Sequence, residues 1–282
     1  MTTNPVSVSE ESRRTIIITG AGSGIGRASA RVLLSQGWNV VLAGRTEEKL
    51  RQAADGNPRA LAVAADVAQS ADVAELFEKA STRFGRIHAL FNNAGTFGPA
   101  VHVGDLSEED WDEVCAVNLT GAINCARQAF NHMKDHGGGR IINNGSIAAQ
   151  VPRPQSVAYA VTKHAITGLT RSMELDGRPW GITASQIDIG NAASEIMDQL
   201  GTSTGALQAD GTRKVEPTFA LEEAARAVAF IANAPASAAV NQLTITAAGM
   251  PTSGGVKQNR HRPLPGGRGA GVEWEPGCGQ KH

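Results

Sequence analysis

The sequence predicts an α/β fold in which a parallel sheet of seven strands is doubly wound, with helices on both faces. Two observations predict it. From about Thr15 onward, short apolar runs rich in β-branched residues alternate with longer segments of helical period, the pattern of repeated βαβ units with a sheet buried on both faces. A glycine-rich turn stands directly after the first run and opens the first helical segment, where a doubly wound sheet binds its ligand.

The elements follow in order. Strands are predicted at 15–19, 39–43, 60–63, 87–91, 140–143, 182–187 and 242–246. Helices are predicted at 24–36, 46–55, 70–84, 107–135, 156–177 and 221–233, most flanked by polar or glycine residues suited to capping. Nothing repeats at a fixed period, so one domain over 15–249 is expected. Residues 1–14 are polar and lack an apolar stretch, which predicts a disordered segment rather than a signal peptide or anchor. Past Gly249, glycine and proline make up about a third of the residues, and 250–282 is expected to be an irregular tail.

Composition narrows the function. The 282 residues are 41% hydrophobic and 19% charged, with a formal net charge of -1. That balance gives no electrostatic reason to expect nucleic acid or membrane partners and points to a small molecule. Three cysteines, Cys115, Cys125 and Cys278, form neither a disulfide framework nor a metal-ligand pattern. A reducing cytoplasm and no metal are expected.

The turn reads Thr19-Gly20-Ala21-Gly22-Ser23-Gly24-Ile25-Gly26. Glycines let the backbone turn tightly and approach a pyrophosphate, and the helix N-terminus supplies free N–H groups with a favourable dipole. At the end of the second strand, where a site for NAD offers a carboxylate to the ribose hydroxyls, this chain has Gly44 and Arg45. A guanidinium can pair with a 2′-phosphate. NADP(H) is therefore expected over NAD(H), the competing reading being that Arg45 is a solvated loop residue beside Glu47 and Glu48. Asp66-Val67 after the third strand and Asn93-Ala94-Gly95 after the fourth fall at the crevice edge, within reach of adenine and ribose. Asp66 is equally suited to capping the helix that follows.

Tyr159 and Lys163 lie four residues apart on a predicted helix, which puts phenol and ammonium on one face. A nearby positive charge favours the phenolate of a group that ordinarily ionises near pH 10. Ser146, after the fifth strand, offers a hydroxyl to a substrate oxygen at the same edge. Asn118, on the long helix before that strand, can bend the helix, hold a water in a relay to Lys163, or be satisfied locally.

Taken together, the glycine turn, Asn92-Asn93-Ala94-Gly95, Asn118, Ser146 and Tyr159-x-x-x-Lys163 resemble, in order and spacing, the short-chain dehydrogenase/reductase family over 15–249. The resemblance implies a Rossmann fold and hydride transfer between nicotinamide and a carbonyl or alcohol carbon. It implies a catalytic tetrad of Asn118, Ser146, Tyr159 and Lys163, with Tyr159 moving the proton and Lys163 also on the nicotinamide ribose. Gly20, Ser23, Gly24, Ile25 and Gly26 would line the dinucleotide, with Asp66 near adenine and Asn93 near its ribose. Homodimers or homotetramers, built through the helices at 107–135 and 156–177, are implied in the same way.

The chain departs from the family after the sixth strand. Where Pro-Gly and then a threonine are common, it has Asp188-Ile189-Gly190 and Ser194. Gly190 is kept and Ser194 offers a hydroxyl near the threonine's place, so both are expected at the cofactor, with the exit angle of the loop open. Asp188 reads either as a residue that positions substrate or lid or as a strand-end acceptor. A mobile lid is expected over 195–216. The expected pocket walls, 96–98 and 147–151, carry no Arg or Lys clamp for an anion, which points to a neutral ketone or secondary alcohol. His164 is expected to point to solvent, and Cys115 and Cys125 to pack as small apolar groups. A dinucleotide-sensing regulator, and an epimerase or dehydratase that uses the cofactor transiently, are the alternatives.

Overall fold

The computed structural model describes residues 13–193 and 205–250; the segment 1–12, residues 194–204 with Ser194, and the tail 251–282 lie outside the described residues. Seven parallel strands form one sheet: β1 (Thr15–Thr19), β2 (Asn39–Gly44), β3 (Ala60–Ala64), β4 (Ala89–Asn92), β5 (Gly139–Asn144), β6 (Ile182–Gly190) and, last in the chain, β9 (Gln242–Thr246). Their spatial order is β3-β2-β1-β4-β5-β6-β9. The order reverses between β1 and β4, and the crevice of a doubly wound sheet opens at that switch point. This is the expected Rossmann fold.

Consecutive β1 residues serve opposite faces. Ile16 and Ile18 pack with α1 (Gly24–Ser35) and α7 (Leu221–Asn233) through Leu33, Val228 and Ile231. Ile17 packs on the other side with α3 (Ser70–Phe84), α5 (Ala122–Asp135) and α6 (Val157–Gly177) through Leu76, Met133 and Met173. A side-chain period of two makes one strand serve both layers. The remaining long helices are α2 (Glu47–Ala54) and α4 (Glu108–Cys115). Among the described residues no helix is long and apolar enough to cross a membrane.

Three differences from the sequence reading have physical causes. The helix expected at 107–135 is interrupted: α4 passes into a π turn, Ala116–Gly121, before α5. The turn holds Asn118, so the expected bend occurs as a widened turn. Strand β4 starts at Ala89 rather than at 87, and the Ile87 N–H is taken by His132 Nε2 at 2.9 Å. Strand β6 runs on through Asp188, Ile189 and Gly190, which face Thr244, Ile245 and Thr246 of β9. The Gln186 N–H meets the Asn241 carbonyl at 3.0 Å, so in this parallel ladder residues 186, 188 and 190 turn their N–H groups to β9, and Ile189 extends the strand without donating to it. The late part of the region read as a lid also contains a short antiparallel pair, β7 (Ala206–Leu207) and β8 (Arg213–Lys214).

Candidate active site

The glycine turn emerges from β1 and passes under the N-terminus of α1. Gly20 and Gly24 have φ of 64° and 49°, a left-handed conformation that costs glycine little. A Cβ on Gly26 would sit 2.3 Å from the Gly20 carbonyl oxygen, so the first turn of α1 closes directly onto the loop. The N-cap Ser23 makes no side-chain capping bond and the first turn carries no acid. Backbone N–H groups with a positive dipole therefore face the crevice without a built-in anion, a fit for a pyrophosphate.

The crevice holds a cavity of about 380 Å³, and Gly20, Ser23, Gly24, Ile25 and Gly44 form part of its wall. Arg45, Asp66, Val67, Asn93, Ala94 and Gly95 line it as well. Gly26 shapes the loop from beneath. Arg45 is exposed, and among the described residues it makes no hydrogen bond or ion pair, while Glu47 pairs with Arg51 and Glu48 with Gln52. The acids beside Arg45 are thus engaged elsewhere. Asp66 does not cap the helix that follows, whose N-cap is Gln69; its Oδ1 accepts the Ala68 N–H at 3.0 Å in a local turn, and the residue faces the cavity. Asn93 braces the loop, with Nδ2 donating to the Thr19 carbonyl at 2.8 Å.

A second cavity of about 80 Å³ adjoins the first, sharing Ile25 and Asn144 in its walls. Ser146, Tyr159 and Gly190 line it, together with Phe97, Ile147 and Val151. The Tyr159 ring lies 5.0 Å from that of Phe97 and 5.5 Å from the Lys163 ammonium, centre to centre for the rings. Burial pushes the Tyr159 phenol above its ordinary value, the hydrogen-bonding contact with Ser146 opposes this, and the Asp188 carboxylate adds to it. Burial brings the Lys163 ammonium down to about 8, against the pull of Asp188. Lys163 Nζ donates to the Asn144 carbonyl at 2.7 Å. The serine, phenol and ammonium expected together are brought together.

Asn118 stands differently. Its Oδ1 accepts the Thr96 N–H and its Nδ2 donates to the Thr96 carbonyl, both at 2.8 Å, and Nδ2 also reaches Thr162 Oγ1 at 3.2 Å. The amide is spent on fixing the segment after β4, the locally satisfied role. His164 is exposed, Cys125 is fully buried and Cys115 half-buried.

A sequence model of the family described as short chain dehydrogenase matches residues 14–204. The chain belongs to that family. A relative from Sinomonas cyclohexanicum, a cis-4-hydroxycyclohexanecarboxylate dehydrogenase, is 33% identical over 233 residues, covering 82% of this chain and 93% of the relative. A 3-ketoacyl-(acyl-carrier-protein) reductase from Brucella melitensis, solved with NADH, superposes with a TM-score of 0.74 at 26% identity over 82% of this chain and 96% of that one. An actinorhodin polyketide ketoreductase solved with NADPH reaches 0.75 at 24% identity over 84% and 97%, a likeness of fold. This short-chain dehydrogenase is thus an oxidoreductase of a family that binds NAD(P)(H) and acts on small molecules.

Three residues at its site went unread in the sequence. Lys49, one turn into α2, joins Arg45 on the cavity wall and makes no hydrogen bond among the described residues. Asn144 stands where the two cavities meet and donates to Asn93 Oδ1 at 2.9 Å. Arg153 corrects the expectation of a pocket without a cation, since it lines the smaller cavity. Its guanidinium grips both oxygens of Glu216, at 2.7 and 2.5 Å, and Asn191 Oδ1 at 3.0 Å. The helical period of Lys49 was readable; the Arg153–Glu216 contact joins residues 63 apart in the chain.

Proposed function

We propose that this enzyme is an NADP(H)-dependent carbonyl reductase or alcohol dehydrogenase that acts on a neutral ketone or secondary alcohol, with Tyr159 as general acid and base. The observation that carries the proposal is that the Tyr159 phenol and Ser146 line together a small, mainly apolar cavity that opens into the dinucleotide crevice. When bound, the dinucleotide supplies or accepts the hydride. The Ser146 hydroxyl donates to the substrate oxygen and holds it against the phenol. Tyr159 gives its proton to that oxygen as the carbonyl carbon is reduced, and takes it back in the other direction. Lys163, still largely protonated at pH 7 with its value near 8, favours the phenolate left behind. Lys163, Gly190 and Ser194 are the residues proposed for the nicotinamide end, and Asn118 holds the Thr96 backbone beside it.

The cofactor choice is supported by two cations without a partner among the described residues, Arg45 and Lys49, at a strand end that offers Gly44 in place of a carboxylate. The neutral substrate is supported by the pairing of Arg153, whose charge is cancelled by Glu216 before any ligand arrives. A homodimer or homotetramer is supported by exposed apolar residues on the two long helices, Ile123 on α5 and Val161 and Leu175 on α6.

NADPH oxidation should be followed over a panel of neutral and carboxylate-bearing ketones, with binding measured separately by cofactor fluorescence. Tyr159→Phe is expected to keep NADPH affinity and to lose turnover roughly 10²–10⁴-fold. Retained turnover would overturn the assignment of the acid, and a preference for carboxylate-bearing ketones would overturn the neutral substrate. Binding without turnover across the whole panel would favour a sensor instead.

A further inference from the structure

Asp188 is fully buried, and the mechanism above does not use it. It is not among the residues that line the substrate cavity. Four N–H donors among the described residues converge on its carboxylate instead. Oδ1 accepts from the Ser146 backbone N–H at 3.0 Å and from Gln186 Nε2 at 2.8 Å. Oδ2 accepts from Gln242 Nε2 at 2.6 Å and, more weakly, from Gln150 Nε2 at 3.4 Å. These donors come from β6, the start of β9 and the turn after β5, and none of the four is a cation.

The carboxylate fits only because residue 145 has no side chain. A Cβ on Gly145 would lie 2.2 Å from Asp188 Oδ1 and 2.9 Å from the Gln186 side chain. The chain therefore joins a glycine just before the serine and an acid at the end of β6 into one contact. We infer that Asp188 is a positioning residue for Ser146: set in the space left by Gly145 and held by three glutamines, its carboxylate fixes the serine backbone so that the hydroxyl meets Tyr159. The inference rests on the role proposed above for Ser146 and Tyr159.

The same charge acts on the phenol. Among the described residues, the charged groups around Tyr159 are Lys163 on its own helix, Asp188 from β6, and the Arg153–Glu216 pair, which cancels internally. Asp188 opposes ionisation of Tyr159 and favours the charged form of Lys163. The neutral isostere Asp188→Asn removes this field while keeping an oxygen for Ser146.

Tyr159 is the chain's only tyrosine, so the ultraviolet band of tyrosinate reports on this one phenol without cofactor or substrate. In the full-length protein, read after a rapid pH jump and before any unfolding, Asp188→Asn is expected to ionise about half a pH unit or more below the wild type. For position, Asp188→Ala is expected to lower kcat by about tenfold or more with little change in NADPH affinity. Ser146→Ala/Asp188→Ala should then be no slower than Ser146→Ala alone, because the two residues act as one unit. Circular dichroism checks that each variant is folded, and the tyrosinate reading stands on Asp188→Asn should Asp188→Ala fail to fold. An unmoved tyrosinate transition, or losses that multiply in the double variant, would overturn the inference. Turnover retained by Tyr159→Phe would instead overturn the reading of the whole site, so the two failures are distinguishable.

Discussion

Arg153 lines the substrate cavity and is paired with Glu216, and Glu216→Gln tests what the pair contributes. Both carboxylate oxygens are in use: Arg153 takes each, Asn191 Nδ2 reaches Oε2 at 2.7 Å, and Gln208 Nε2 reaches Oε1 at 3.2 Å. A glutamine offers one acceptor oxygen and brings an NH₂ to face groups that are themselves donors. At least one arm of the guanidinium is then left unmatched. Removing one partner of a buried pair costs about 3–5 kcal/mol, and because the Arg153 side chain keeps 19% of its exposure the lower end, about 3 kcal/mol, applies. Asn191 adds to the cost, since its amide bridges the pair, accepting from Arg153 and donating to Glu216. For a domain of this size 1 kcal/mol is roughly 2–4 °C in Tm, so Glu216→Gln should melt roughly 6–12 °C below the wild type at pH 7. The difference has a pH signature. Hydrogen bonding by Arg153, ahead of that by Asn191 and Gln208, holds the Glu216 carboxyl at about 2, against burial. A lowered carboxylate stabilises fully above its ordinary value near 4.5 and loses that contribution as pH falls towards 2. The two Tm curves should therefore run parallel at neutral pH and converge below about pH 4.5. A gap of less than about 2 °C at pH 7, or one that stays constant into acid, would refute the reasoning.

Arg45→Asp should move the ratio of kcat/KM for NADP and NAD towards NAD, and an unchanged ratio would show that Arg45 does not read the 2′-phosphate. Gly26→Ala places a methyl 2.3 Å from the Gly20 carbonyl oxygen; it should raise the Kd for NADPH at least about tenfold and lower Tm by several degrees, and wild-type binding would refute the tight-turn account. His88 and His132 accept the backbone N–H groups of Thr15 and Ile87 at 3.0 and 2.9 Å, and burial foremost lowers both imidazoles to about 4. Between about 6.5 and 4 the unfolded chain binds more protons than the folded one, so Tm should fall as pH drops through that window, and a flat profile would count against it.

What was legible in the sequence is what a short stretch of chain encodes by itself. The glycine turn, the Tyr159–Lys163 spacing and the strands of the sheet each depend on residues within a few positions of one another, so period and turn chemistry reveal them. The reach of β6 was harder, because it depends on a partner strand more than fifty residues on: only the pairing of Ile189 with Ile245 shows that the ladder continues past residue 187. Arg153 was missed for the same reason. It stands two residues past the wall expected at 147–151, and only the folded chain brings it to the cavity and to Glu216, which spends its charge.

Asp188 shows how far a departure from a pattern can be taken. In sequence it is an acid at a strand end, suited to substrate, lid or turn, and no local signal separates these. Its actual partner is fixed by Gly145, forty-three residues earlier, where a missing side chain leaves the space that the carboxylate fills. Neither residue alone carries a local signal of the other, and together they describe one packed contact. A Cβ at position 145 is incompatible with an acid at 188, so the two must change as a pair. In this chain, then, the surroundings of Ser146 are set by a carboxylate and three glutamines, and the alkaline titration of a single tyrosine can show whether that setting reaches the proposed chemistry.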